Sequence, residues 1–135
     1  MTVLPLNTAS IALLVDRFYD KVQKHPTLGP VFNPAVHDWT EHKETLVAFW
    51  SQVALGERGY NGSPMSAHQK HNTIRAAHFD DWLALWRETT REVLDEDGAA
   101  KMIDFAERIG RSLRYGLGIP MQGRGLGIPL VSVGK

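Results

Sequence analysis

The stretch PMSAHQKHN, residues 64–72, sets His68 and His71 three residues apart, just after a proline. On a helix, residues at that spacing are neighbours, and a pair of imidazoles there can share one metal ion. Three readings follow: a metal pair, one ligand with a bystander, or ordinary polar side chains. A structural zinc site needs about four ligands. The chain has no cysteine, so the remainder would have to come from His42, His78 or carboxylates, and no second spaced pair supplies them. Neither HExxH nor the Glu-x-x-His pair of di-iron bundles occurs.

Tyr19, His42 and Trp82 also draw attention, because the helical period turns them towards apolar faces. Tyr19 lies beside Phe18, four residues after Val15 and three before Val22. On position alone it reads as a tyrosine at the edge of the core with its hydroxyl at water. His42 stands between the charged Glu41 and Lys43 but in register with Trp39, Leu46 and Phe49. An imidazole on such a face is either bonded within the core or poised over a ligand. Trp82 sits in mid-stripe, where bulk packing competes with an indole donor aimed into a cavity. A haem iron asks less of a chain than zinc does. The macrocycle supplies the equatorial nitrogens, and one axial imidazole beside an apolar, aromatic-lined pocket suffices.

The elements that must position these residues are helices. Ile11, Leu14, Val15, Phe18 and Val22 predict a helix over residues 10–24, with Asn7 or Thr8 as its cap. Pro26, Pro30 and Pro34 then forbid a long helix. A second helix is expected over 40–55, its face carrying Trp39, His42, Leu46, Phe49, Trp50 and Val53, with Gly56 at its C-cap. Asn61-Gly62 marks a turn, and Ser63-Pro64 reads as the start of a short helix ending near Ala77. A third long helix is expected over 79–95, with Asp80 and Asp81 in its first turn. Gly98 would separate it from a last helix over 99–115, with Met102, Phe105, Ala106, Ile109 and Leu113 inward. Residues 116–135 are glycine-rich, repeat LGIP at 117–120 and 126–129, and read as a tail to a domain of residues 1–115. No segment reads as a strand, so the fold class is all-α.

Bulk composition narrows the function. Fifteen basic residues balance fifteen acidic ones, which gives no support to a nucleic-acid partner or an anionic membrane. Hydrophobic residues at 43% and charged residues at 22% are ordinary for a soluble domain, and 135 residues are enough for one core. The start, MTVLPLNTAS, has no basic region before an apolar run, and no stretch approaches a membrane span. A cytoplasmic protein is the expectation. Without cysteine, disulfides and thiolate chemistry are excluded.

A chain of motifs then stands in order: FYDKV (18–22), LGPVF (28–32), WTEHKETLVAFW (39–50), LGERGYNGSPMSAH (55–68) and HFDDWLALW (78–86). In these the chain resembles the truncated haemoglobins, and among them group III. The chain has no Gly-Gly pair, which group III membership implies. The resemblance implies a truncated globin fold of the 2-over-2 sandwich type around one haem b (iron protoporphyrin IX). It implies His68 as the axial ligand to iron, and Tyr19 and Trp82 as donors to a bound ligand. It further implies His42 as the residue that lines or gates the pocket, Phe32 packed on the porphyrin, and Leu46 in the pocket wall. His71 matches no ligand position.

The implied function is binding of dioxygen, NO, CO or another small ligand. It extends to oxygen transport, or to oxygen, NO or peroxide redox chemistry with an unknown electron donor. No flavin or nicotinamide fingerprint occurs in the chain. A monomer or weak dimer is expected. The competing readings are a metal-dependent helical-bundle enzyme using His42, His68 and His71, and a helical interaction module without cofactor whose tail docks a partner.

Overall fold

In the computed structural model, residues 3–60 and 74–118 are described. The first helix, α1 (Thr8–Lys24), starts where the sequence offers a cap. The Asn7 side chain accepts from the backbone N–H of Ser10, and the Ser10 hydroxyl accepts in return from that of Asn7, both at 2.9 Å. Its apolar stripe is buried throughout: Ile11, Leu14, Val15, Phe18 and Val22 are wholly covered. Complete burial of a side chain of this size contributes about 1.5–3 kcal/mol, so this stripe is a major part of what holds the fold.

The proline-rich segment still forms one short helix, α2 (Gly29–Ala35), with a proline in its first turn, where no amide partner is lost. Gly29 is required there: a Cβ would lie 2.8 Å from the Gln23 carbonyl oxygen. The next helix, α3 (Trp39–Leu55), is capped by the Asp38 side chain and ends at Gly56, whose φ of 75° is the left-handed C-cap the sequence anticipates. Only Trp50 and Ser51 of α3 are fully buried. Trp39, Leu46, Phe49 and Val53 are partly buried against the core.

Several boundaries differ from expectation. The fourth helix, α4 (Ala76–Val93), begins three residues before Phe79, because His78 caps its own helix start: its Nδ1 accepts from the Arg75 amide at 2.8 Å. Asp80 and Asp81 therefore stand beyond the first turn and serve tertiary contacts, with Arg114 and Thr27 respectively. The last helix, α5 (Glu96–Leu117), begins before Gly98, because Asp95 accepts from the Gly98 amide and makes the N-cap. It runs to Leu117, two residues past the expected end, with Gly118 as its left-handed cap. Between α4 and α5, Leu94 pairs with Leu4 in an isolated bridge, which ties down the N-terminal segment.

Among the described residues the fold is thus all-α. Helices α1 and α3 form one packed pair and α4 and α5 the other; α1 also packs on α4, and α3 on α5. This is a two-over-two sandwich. Ion pairs fasten the layers at the rim. Lys21 on α1 reaches Glu88 and Glu92 on α4, and Lys43 on α3 reaches Asp16 and Asp20 on α1. Such half-exposed pairs add little stability; those of Lys43 join α3 to α1 next to His42. The predicted short helix over 64–77 lies, up to residue 73, outside the described residues. So does nearly all of the predicted tail, from residue 119.

Candidate functional site

Adjacent residues of α1 face different tasks. Phe18 points into the core and meets Trp82 and Trp86 edge-on, at 5.2 and 4.9 Å between ring centroids. Tyr19, only 3% exposed, turns towards α2 and α3. There its ring meets Phe32 at 6.2 Å, Trp39 at 6.0 Å and His42 at 6.0 Å. The expectation from position, a hydroxyl at water, fails: α2 and α3 close over the ring. Burial pushes the phenol well above its ordinary pKa, and the nearby Trp82 indole pulls the other way. The hydroxyl therefore stays protonated across the neutral range.

His42 sits edge-on to both Tyr19 and Trp39, the latter at 5.5 Å. Burial lowers its pKa, which favours the neutral imidazole. Trp39 is steadied by its indole N–H, which donates to Asn33 Oδ1 at 3.2 Å. Phe32, Leu46 and Trp82 are half-buried and packed against the core around this cluster. Structure thus brings Tyr19, Phe32, His42 and Trp82 together from α1, α2, α3 and α4, with Leu46 one turn along α3 from His42. His68 and His71 lie outside the described residues. Among the described residues, no group of three or more His, Cys, Asp or Glu side chains is placed to hold a metal ion. His78, a candidate ligand by composition, has its Nδ1 engaged at the α4 cap.

Sequence reasoning placed Trp39 on the right face but gave it no part in the site. It lies against both Tyr19 and His42. Its spacing of three residues before His42 was the available signal.

Polar donors gathered inside a half-buried aromatic wall on a two-over-two helical sandwich define a globin-like protein. The sequence model of the bacterial-like globin family matches residues 7–110. The chain is 36% identical over 108 residues to the "Group 3 truncated hemoglobin ctb" of Campylobacter jejuni, covering 77% of this chain and 85% of that protein. It is 31% identical over 71 residues to the "Group 1 truncated hemoglobin GlbN" of Nostoc commune, covering 53% of this chain and 58% of that one. The crystal structure of a group III truncated hemoglobin from Campylobacter jejuni superposes with a TM-score of 0.81 at 32% identity, covering 93% of this chain and all of that one. The chain belongs to the bacterial-like globin family, as a group III truncated haemoglobin, and is a haem-binding globin.

The residues present fit a haem. A flat apolar macrocycle needs apolar walls, and α3 offers a partly buried face of Trp39, Leu46, Phe49 and Val53. A gas ligand gains from an uncharged donor in a dry place, and the buried phenol of Tyr19 is one.

Proposed function

We propose that the chain binds haem b with His68 as the axial ligand, and binds dioxygen, NO or CO on the face lined by Tyr19, His42 and Trp82. The observation that carries this reading is Tyr19: a buried phenol, 3% exposed, with Phe32, Trp39 and His42 against its ring. Bound haem would supply an iron able to take a small diatomic ligand. Tyr19 holds its proton and donates to a ligand lying beside it. Trp82 is the second donor. The neutral His42, edge-on to Trp39, lines or gates the approach from solvent. Phe32 packs on the porphyrin, and Leu46 completes the wall.

Three uncharged polar groups favour retention or activation of bound dioxygen over bulk transport, with NO oxidation or peroxide chemistry as the redox outcomes. A redox cycle then takes its electrons from an external donor, because the chain has no flavin or nicotinamide fingerprint. A cytoplasmic, monomeric or weakly dimeric protein is the expected setting; no helix among the described residues is long and apolar enough to cross a membrane. Of the three histidines in the metal-dependent enzyme reading, only His42 lies among the described residues, where it packs edge-on against Tyr19 and Trp39.

The absorption spectrum of protein reconstituted with haem tests the assignment. His68→Ala is expected to abolish or shift the Soret band, and His71→Ala to leave it in place. Equal spectra for the two variants would remove His68 from its role.

A further inference from the structure

Indole is a costly way to fill a core. It brings a ring N–H that needs an acceptor, whereas phenylalanine or leucine fills space with no polar atom. Yet three indoles meet at the centre of this molecule. Trp82 and Trp86, one turn apart on α4, stack with centroids 5.2 Å apart and planes 8° from parallel. Trp50 of α3 stacks on Trp86 at 4.7 Å and 25°. Trp86 is wholly buried and donates to the Met102 carbonyl at 3.0 Å. Trp50 is 2% exposed, and its indole nitrogen has no hydrogen-bond partner among the described residues.

The stack has two ends. At one, Trp82 meets Phe18 edge-on at 5.2 Å, and Phe18 meets Tyr19 of the candidate haem pocket at 4.6 Å. At the other, Trp50 meets Phe49 at 5.0 Å, and Phe49 meets Tyr60 at 5.1 Å. Tyr60 is only partly buried. An unbroken run of rings therefore joins the pocket to a phenol at the surface. Packing accounts for large apolar rings in the core. It does not account for near-parallel indoles, one with an unsatisfied N–H, in a run that ends on tyrosine. In a chain without cysteine, tryptophan and tyrosine are the side chains that most readily give up an electron, and overlapping rings shorten each transfer.

We propose that Trp82, Trp86, Trp50 and Tyr60 form an electron relay, which carries electrons from a small one-electron reductant at the Tyr60 surface to the haem pocket while hydrogen peroxide is reduced there. The relay rests on the reading of that pocket as a haem site. In one turnover, hydrogen peroxide takes up two electrons and two protons and leaves as two waters. Each electron is drawn from the indole stack, and the electron deficit passes outward past Phe49 to Tyr60. On oxidation the Tyr60 phenol releases its proton to water. A donor of the ascorbate class returns an electron and a proton to it, so two donor molecules are each oxidised by one electron per peroxide. Protons reach the pocket from solvent.

The test uses the full chain, reconstituted with haem, oxidised, and mixed with hydrogen peroxide without reductant. Electron paramagnetic resonance of freeze-quenched samples, with ring-deuterated tryptophan or tyrosine for assignment, is expected to show a tryptophan radical. A spin trap is expected to label Tyr60, as located by peptide mass spectrometry. Trp86→Phe and Trp50→Phe are expected to lose the Tyr60 adduct. Tyr60→Phe, at a half-buried site that tolerates the change, is expected to prolong the tryptophan radical, which keeps the proposal testable if a core variant fails to fold. Undiminished Tyr60 labelling in both tryptophan variants, or a radical confined to Tyr19, overturns the relay while the Soret band stands. Absence of a Soret band overturns the pocket reading and the relay with it.

Discussion

Tyr19 and Phe18 are adjacent in sequence and differ by one hydroxyl in kind. Phe18 is a core residue among aromatic edges, whereas Tyr19 places an O–H where α2 and α3 exclude water. A dioxygen ligand takes electron density from iron and gains from such a donor; carbon monoxide, less polarised, gains little. A hydrogen bond to a charged partner contributes about 1.5–3 kcal/mol. Tyr19→Phe, which removes the donor but keeps the ring, is therefore expected to speed dioxygen release by about tenfold to a hundredfold. Carbon-monoxide release should change much less. Stopped-flow measurement of both rates checks this, and equal acceleration of the two would mean that Tyr19 acts by shape alone. Tyr19 also marks a limit of sequence reading. The period places it at the edge of the α1 stripe, but only the position of α2 and α3 decides that the edge is dry.

At the scale of elements, chain geometry was legible wherever a single residue dictates it. Asn7 and Gly56 act as caps because each satisfies backbone groups that the helix itself leaves unpaired. The start of α4 was less legible, because His78 caps by a side-chain bond that composition does not announce; at α5 the N-cap signal stands in Asp95, and Gly98 shifts the expected start past it. The two glycines that shape the frame of the site carry different constraints. Gly56 has open space around it and only the left-handed backbone to protect it, so Gly56→Ala is expected to cost about 1 kcal/mol. At Gly29 the obstacle is the carbonyl of Gln23, which cannot swing aside as a side chain can. Gly29→Ala should therefore cost more than Gly56→Ala in urea unfolding. It should also displace α2, and with it Phe32, so that haem affinity falls. If the order of the two variants is reversed, the α1–α2 approach is looser than the backbone indicates.

At the scale of the molecule, burial is uneven in a way no linear pattern displays. The period assigned inward faces to all four long helices alike. In the folded chain, α1 buries its stripe completely, whereas the face of α3 with Trp39, Leu46, Phe49 and Val53 is only half covered. Trp50 is the anchor of α3, stacked on Trp86 of α4. Helices α1, α4 and α5 thus share a core that protein atoms close by themselves: Phe18, Trp86 and Met102 are wholly buried. Local opening should follow the same division, since segments with few buried apolar contacts open at lower free energy than the core. A ligand that binds only the folded form stabilises it by mass action, and most where it supplies the missing contacts. Extraction of haem from the holoprotein is therefore expected to raise amide hydrogen exchange chiefly along α3, and at Phe32 in α2, while protection along α1 and α4 survives. Hydrogen-exchange mass spectrometry of the holo and apo forms measures this by segment. Loss of protection spread evenly over all the helices would mean that the haem site and the aromatic core fold as one unit, and that the half-covered face of α3 is no guide to where the cofactor binds.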